Sequence, residues 1–345
     1  MFGCESARAF AEKRGDIISL FSHKNVPIIL ICRAGARTTP YVEHHIPAKY
    51  TISRAPEPSP ASPRPLTPSL WLYGRAEFTF LALFMSALPE QVKVGFLGFG
   101  KMARSIAEGL QKQNRWLTGA CDVMPFTSEQ TKAFASAGEL EQWADLILLC
   151  VKPQDMATAV ASLQGSRPCL SIAAGLSLDT IRSFFKGPAP LLARSMPNLG
   201  ATVGLSTTAI YCEDEALRAL SVELFGAVGY AFAVGKEDLM HGVTGLSGSG
   251  PAYVFLMIQA MAEAGVREGI PFDDALKMAV QTVLASATLL AGSSDHPAEW
   301  IRRVSSPAGT TIEGMAALEE NGMRHAIYEA VHRATERSRE LGKKK

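Results

Sequence analysis

VKVGFLGFGKMA, residues 92–103, decides the fold. Val92 to Leu97 is an apolar run of strand length. Gly98-Phe99-Gly100-Lys101-Met102-Ala103 follows at once and opens a helical pattern from Met102 to Gln113. A strand, a G-x-G-x-x-G/A turn and a helix in that order make the dinucleotide-binding fingerprint. Gly98 permits the tight turn, Gly100 lets a pyrophosphate approach the backbone, and small Ala103 lets helix and strand pack closely. The free amides of the helix N-terminus then face the phosphates. Glycine-rich turns are common in isolation; here strand, spacing and helix agree.

Downstream of this stretch, strand and helix patterns alternate. Trp116 to Cys121 reads as a strand and Glu129 to Ala135 as a helix. Leu146 to Val151 reads as a strand, Asp155 to Leu163 as a helix and Cys169 to Ile172 as a strand. Leu178 to Phe185 (helix), Leu191 to Ser195 (strand), Ala209 to Cys212 (strand) and Glu215 to Phe225 (helix) continue the series. Strands separated by helices imply crossovers and a parallel sheet covered on both faces. Ligands of such sheets bind outside the carboxyl ends of the strands. Asp122, Val151-Lys152-Pro153 and Ala173-Ala174 stand at those ends. Asp122 lies where a carboxylate meets the adenosine ribose; it would accept from the hydroxyls and repel a 2′-phosphate. Val123 to Gln130 holds no Arg or Lys, so the balance leans to NADH over NADPH. A simple turn aspartate is the alternative.

After Lys236 strand signals end. Pro251 to Glu268, Phe272 to Leu290, Thr310 to Glu320 and Met323 to Leu341 read as helices. The first is apolar nearly all round, so a second chain is expected to cover it. Gly245-Leu246-Ser247-Gly248-Ser249-Gly250-Pro251 follows no strand and reads as a close-packing segment rather than a phosphate loop. Asp295-His296-Pro297 reads as a helix start, with no catalytic role for His296. In Ser305-Ser306-Pro307-Ala308-Gly309-Thr310-Thr311-Ile312-Glu313, Thr310 and Glu313 fit a capping box. Clustered hydroxyls beside free helix amides also make a site for a carboxylate.

Upstream of residue 90 the character changes. Ala55 to Leu70 is rich in proline and serine, and Val26 to Cys32 reads as an apolar run without a nearby strand partner. Residues 1–84 are therefore expected to be disordered or an over-extended translation start, with Met85 as the alternative first residue. A targeting peptide is disfavoured by Glu5, Glu12 and Asp16. A nucleotide domain over 85–236 and a helical domain over 237–345 complete the division. The formal charge of +1 calls for neither nucleic acid nor an anionic membrane surface. The apolar run Pro251 to Val266 carries Gln259 and Glu263 and is shorter than the roughly 20 residues of a span. The six cysteines show no C-x-x-C pair and no histidine partners, which points away from zinc or a disulfide framework and toward a reducing, cytoplasmic setting.

With VKP at 151–153, SIAAG at 171–175, RSMPN at 194–198, TGLSGSGPAY at 244–253 and SSPAGTT at 305–311 in this order, the chain resembles pyrroline-5-carboxylate reductases from about Val92 to Leu341. The resemblance implies an α/β Rossmann-type dinucleotide-binding domain followed by an all-α helical dimerisation domain, in a homodimer often assembled further into decamers. It implies reduction of 1-pyrroline-5-carboxylate to L-proline with NADPH or NADH. Gly98, Phe99, Gly100, Lys101, Met102, Ala103, Val151, Lys152, Pro153, Ala173, Ala174 and Asn198 would contact the cofactor. The loop at 305–311 would hold the substrate carboxylate through its amides, with Ser306, Gly309 and Thr310. Thr311 would bond the ring nitrogen, and Glu237 lies near that pocket. Departures are Ala308, where the family loop has glycine, Leu199-Gly200 in place of Thr-Pro after MPN, and Arg303 where asparagine can stand. Ser136 to Glu141 also lacks an asparagine often found near the ribose.

The implied reaction needs few side chains. An iminium carbon is already electrophilic, and orientation beside a hydride donor can supply roughly 7–11 kcal/mol. The lack of a His/Asp or Cys/His pair agrees with it. A hydroxyacid dehydrogenase, the nearest rival beside an imine reductase for another ring, would need a general acid–base residue that the second half does not offer. A nicotinamide-binding regulator without turnover is the rival from another class.

Overall fold

The computed structural model describes residues 17–23 and 26–32 as backbone and residues 90–343 in full. The chain divides into two compact units, 1–71 and 72–345. In the first, β1 (Ile17–His23) pairs antiparallel with β2 (Val26–Cys32), from Ile17 opposite Cys32 to His23 opposite Val26. The expectation that Val26 to Cys32 has no partner is thereby corrected; the nearby Ile17 to His23, with Ile17, Ile18, Leu20 and Phe21, supplies one. The proline-rich stretch lies outside the described residues.

The second unit begins with β3 (Val92–Leu97) and α1 (Lys101–Leu110), then β4 (Trp116–Cys121) and β5 (Thr131–Ala133). Next come α2 (Ala137–Trp143), β6 (Leu146–Leu149), α3 (Met156–Val160), β7 (Cys169–Ser171) and α4 (Leu178–Arg182). β8 (Leu192–Met196), β9 (Ser206–Cys212), α5 (Glu215–Gly226) and β10 (Gly229–Ala233) finish one eight-stranded sheet of order β10-β9-β8-β7-β6-β3-β4-β5. Strand alternation sorts the core. Leu146 and Leu148 join one buried cluster with Ile106, Leu110, Leu224 and Phe225 of α1 and α5. Ile147 and Leu149 join the other with Leu140, Met156, Val160 and Ile181 of α2, α3 and α4. All four β6 side chains are fully buried. Each contributes about 1.5–3 kcal/mol to folding.

Three expectations change. Residues 129–135 hold the edge strand β5 in place of a helix; Thr131 is buried and hydrogen-bonded to Gln111 and Thr118, and the helix starts only after Ser136, whose hydroxyl accepts from the Glu139 amide at 3.2 Å. The sheet is not wholly parallel. β9 runs antiparallel to β8, from Ala193 opposite Cys212 to Met196 opposite Ala209. Residues 197–205 are fewer than the dozen or so that a parallel crossover needs. β10, which no sequence pattern marked, returns parallel to β9 through α5.

The helical half runs through α6 (Leu239–Val243), a π turn at Thr244–Gly248, α7 (Gly250–Arg267), α8 (Phe272–Ala291), α9 (Pro297–Val304), α10 (Thr310–Glu320) and α11 (Met323–Lys343). The close-packing assignment of the glycine-rich segment holds. A Cβ on Gly245 would come within 2.3 Å of Thr335 Oγ1 and 2.7 Å of the Val331 carbonyl oxygen on α11. α7 and α8 meet along small residues, Ala262, Gly265, Ala275 and Ala279. His296 caps α9, its Nδ1 accepting from the Ala298 amide at 3.2 Å.

Candidate active site

Parallel β3, β4, β6, β7 and β8 bring their carboxyl ends to one edge of the sheet, and Gly98, Asp122, Val151, Ala173 and Asn198 follow those ends. Gly98 has φ +89°, and a Cβ there would lie 2.9 Å from Val151 Cγ1. Only glycine fits such a turn. A Cβ on Gly100 would meet nothing within 4 Å, so this backbone borders open space where a pyrophosphate can approach. Gly100 is the N-cap of α1 and no side chain caps the helix, which leaves its first amides directed at that space. Ala103 is buried beneath, Lys101 is exposed and Met102 half-buried. These residues fit a dinucleotide.

Around this cradle the neighbours hold one another. Asp122 Oδ2 accepts a short hydrogen bond from the Phe99 amide, and its Oδ1 accepts from the Met124 amide at 2.8 Å. The Phe99 ring is buried against Phe126, centroids 4.6 Å apart. Asn198 Oδ1 accepts from the Gly200 amide at 3.0 Å, and its Nδ2 donates to the Ser247 carbonyl at 2.9 Å, which ties the end of β8 to the π turn. Lys152 is exposed ahead of Pro153, beside half-buried Val151, and Ala173 and half-buried Ala174 present small side chains.

The second candidate region is 305–311. Gly309, rather than Thr310, is the N-cap of α10, and no side chain caps the helix, so the expected Thr310–Glu313 capping box does not form. Thr310 is already helical, which turns its hydroxyl away from the cap position. The first-turn amides are left open to an anion. A Cβ on Gly309 would lie 2.2 Å from Ser306 Oγ, so glycine permits this turn. Ser306 and Thr310 are exposed, and Gly309 and Thr311 are half-buried. No hydrogen bond or ion pair joins 305–311 to the nucleotide domain among the described residues. Glu237 does reach that domain. It accepts from the Leu178 amide at 2.7 Å and from buried Arg194 at 2.9 Å.

Residues 237–341 match a family model described as pyrroline-5-carboxylate reductase dimerisation, and residues 93–175 match one described as NADP oxidoreductase, coenzyme F420-dependent. The pyrroline-5-carboxylate reductase of Synechocystis is 41% identical over 270 residues, covering 73% of this chain and 99% of that protein. The chain belongs to the pyrroline-5-carboxylate reductase family. The Arabidopsis thaliana reductase is 38% identical, over 74% of this chain and 99% of its own. The crystal structure of 1-pyrroline-5-carboxylate reductase from Streptococcus pyogenes covers 73% of this chain and all of its own, at 34% identity and a TM-score of 0.67. The Plasmodium falciparum pyrroline carboxylate reductase, solved with NADP bound, matches at 25% identity and a TM-score of 0.67, over 73% of this chain and 99% of its own.

Burial raises the thiol pKa of each described cysteine, Cys121 among them. Burial pushes the Cys150 and Cys169 thiols well above the ordinary range and Cys212 up to about 11. His241 bonds Ser338 at 2.9 Å and is held below its usual value, first by burial and then by the charge of Arg194. Among the described residues no group of His, Cys, Asp or Glu could hold a metal ion, and no helix is long and apolar enough to cross a membrane. Two residues beside the glycine turn escaped the sequence patterns, Arg104 and Phe126. Arg104 stands one position beyond the glycine fingerprint, and Phe126 lies in a loop without periodicity, so only their contacts reveal them.

Proposed function

We propose that this chain reduces 1-pyrroline-5-carboxylate to L-proline with hydride from a nicotinamide dinucleotide. One observation carries this. Two uncapped helix N-termini, after Gly100 and after Gly309, occur in a chain that relatives named pyrroline-5-carboxylate reductase match over nearly their whole length. When bound, the cofactor supplies the hydride. The Gly98–Ala103 turn and α1 hold its pyrophosphate, and the small residues Ala173 and Ala174 leave room for a flat ring against the backbone. The amides that open α10, with Ser306 and Thr310, hold the substrate carboxylate, and the Thr311 hydroxyl bonds the ring nitrogen. Orienting the imine carbon is the main task, worth roughly 7–11 kcal/mol of barrier. The substrate reacts as its iminium, which already carries the proton that the amine keeps, so no side chain is needed as a general acid.

The working unit is a homodimer built through 237–341. α7 has one buried residue, Ala262, while Phe255 and Leu256 are 58% and 68% exposed, and the matched dimerisation model covers the same segment. The charge of Asp122 is the basis of the lean to NADH; both of its oxygens accept backbone amides and the Plasmodium falciparum relative is solved with NADP bound, so the test takes both dinucleotides. The free thiols of Cys121, Cys150, Cys169 and Cys212 support a cytoplasmic setting.

The test is oxidation of NADPH and NADH by the purified chain with 1-pyrroline-5-carboxylate, followed by detection of proline. Turnover is expected with this substrate and not with 2-oxo acids. Tight dinucleotide binding without turnover would instead mark a regulator, and turnover confined to another ring or acid would mark a different reductase.

A further inference from the structure

We infer that Arg104 reads the 2′ position of the adenosine ribose and turns this chain toward the 2′-phosphorylated cofactor, an inference that rests on the proposed dinucleotide site. Arg104 lies in the first turn of α1, immediately after the glycine fingerprint. Its guanidinium carbon stands 4.9 Å from the centroid of Phe99 and 5.7 Å from that of Phe126. The two rings are themselves in contact, so they form a fixed apolar bed that orients the guanidinium. An arginine stacked in this way keeps its N–H donors free in a plane, the arrangement that binds phosphate through two parallel hydrogen bonds.

The donors are unused. The Arg104 guanidinium makes no hydrogen bond or ion pair among the described residues, whereas those of Arg182, Arg218, Arg302 and Arg339 each hold a carboxylate. Arg104 instead lines a cavity of about 310 Å³ with Pro125, Phe126 and Thr127, just beyond the carboxyl end of β4. That is where the ribose of a bound dinucleotide falls in such sheets, and an arginine nearby accommodates the 2′-phosphate. Thr127 is exposed and adds a hydroxyl donor to the same wall.

Asp122 would ordinarily oppose a phosphate here. Its two oxygens already accept the Phe99 and Met124 amides, so the carboxylate is turned to the backbone and fastens the loop that carries Pro125 to Thr127. The acid thus builds the pocket wall, and the open charge facing the cavity is the cation. The loop from Val123 to Gln130 needs no basic residue of its own because α1 supplies one.

The experiment measures binding, without substrate, to the full chain. NADPH and NADH are titrated by protein fluorescence, and 2′,5′-ADP and 5′-ADP by calorimetry. The unaltered protein is expected to bind NADPH more tightly than NADH and 2′,5′-ADP more tightly than 5′-ADP. Arg104→Gln should weaken NADPH and 2′,5′-ADP about tenfold to a hundredfold, the range of a lost charged hydrogen bond, while NADH and 5′-ADP hold. Arg104→Lys should restore part of the loss. An unaltered protein that prefers NADH overturns the inference whether or not the variants fold. So does an Arg104→Gln protein that weakens NADH and NADPH alike, or neither. Because no turnover is measured, a chain that binds NADPH through Arg104 yet fails to reduce the imine sinks the proposed reaction and leaves this inference standing.

Discussion

β6 and α7 show opposite ways of using apolar sequence. Leu146-Ile147-Leu148-Leu149 is wholly buried, because helices of the same chain cover both faces of the sheet. In α7 a comparably apolar run keeps one buried residue, and α8 adds Ala275 and Ala279, all three in the small-residue seam between the two helices. The outer faces carry Phe255, Leu256, Leu284 and Leu289, each more than half exposed. Burying such side chains is worth about 1.5–3 kcal/mol apiece. The nucleotide domain thus buries its core within the chain, while the helical half leaves an apolar surface exposed over the residues that match the dimerisation model.

The hardest blow to this contrast is Phe255→Asp. A charge at a buried subunit contact costs several kcal/mol, so sedimentation should show monomers and activity should vanish with the dimer. A monomer that stays active at micromolar concentration would overturn the shared core. The counterpart is Leu148→Ala in the sheet. It should lower stability by about 2–5 kcal/mol while sedimentation still shows the dimer. Loss of the dimer in Leu148→Ala, like that expected for Phe255→Asp, would erase the distinction between the regions.

Thr311→Ala tests the site that the helical half carries. Loss of a hydrogen bond to a charged group is worth about 1.5–3 kcal/mol, a tenfold to hundredfold fall in kcat/KM. Folding should be nearly intact, since Gly309 and not a threonine is the N-cap. Dinucleotide affinity should not change. If substrate and cofactor binding weaken together, or kcat/KM is kept, the loop is only a helix start. The smallest effect is expected next door. Ala308 has φ +55°, a left-handed conformation that costs a non-glycine residue about 1–2 kcal/mol, against about 0.5–1 kcal/mol for the added freedom of glycine. Ala308→Gly should therefore stabilise by roughly 0.5–1 kcal/mol, raising Tm by a few degrees. A lower Tm would mean the left-handed turn is held without strain.

Much of this was legible from residue patterns. β3 and β4 fall where their apolar runs predict, and α10 occupies the predicted residues from Thr310 to Glu320. The longest departures are short or edge elements, β5 and β10, whose residues are held by cross-strand neighbours rather than by a pattern of their own. The glycine cradle was legible for the same reason as β3, since φ and close approach are local demands that only glycine meets.

Local residue order specifies the strand–turn–helix around Gly98, the alternating core, the apolar excess of α7 and the loop at 305–311, because each is written in the spacing of neighbouring residues. The tertiary structure alone decided that β9 reverses, that Asp122 binds the Phe99 and Met124 amides, that Glu237 reaches across to Arg194, and that Arg104 lies on Phe99 and Phe126. Those outcomes join residues distant in the chain or turn on the direction of a side chain, and spacing along a sequence carries neither distance nor direction in space.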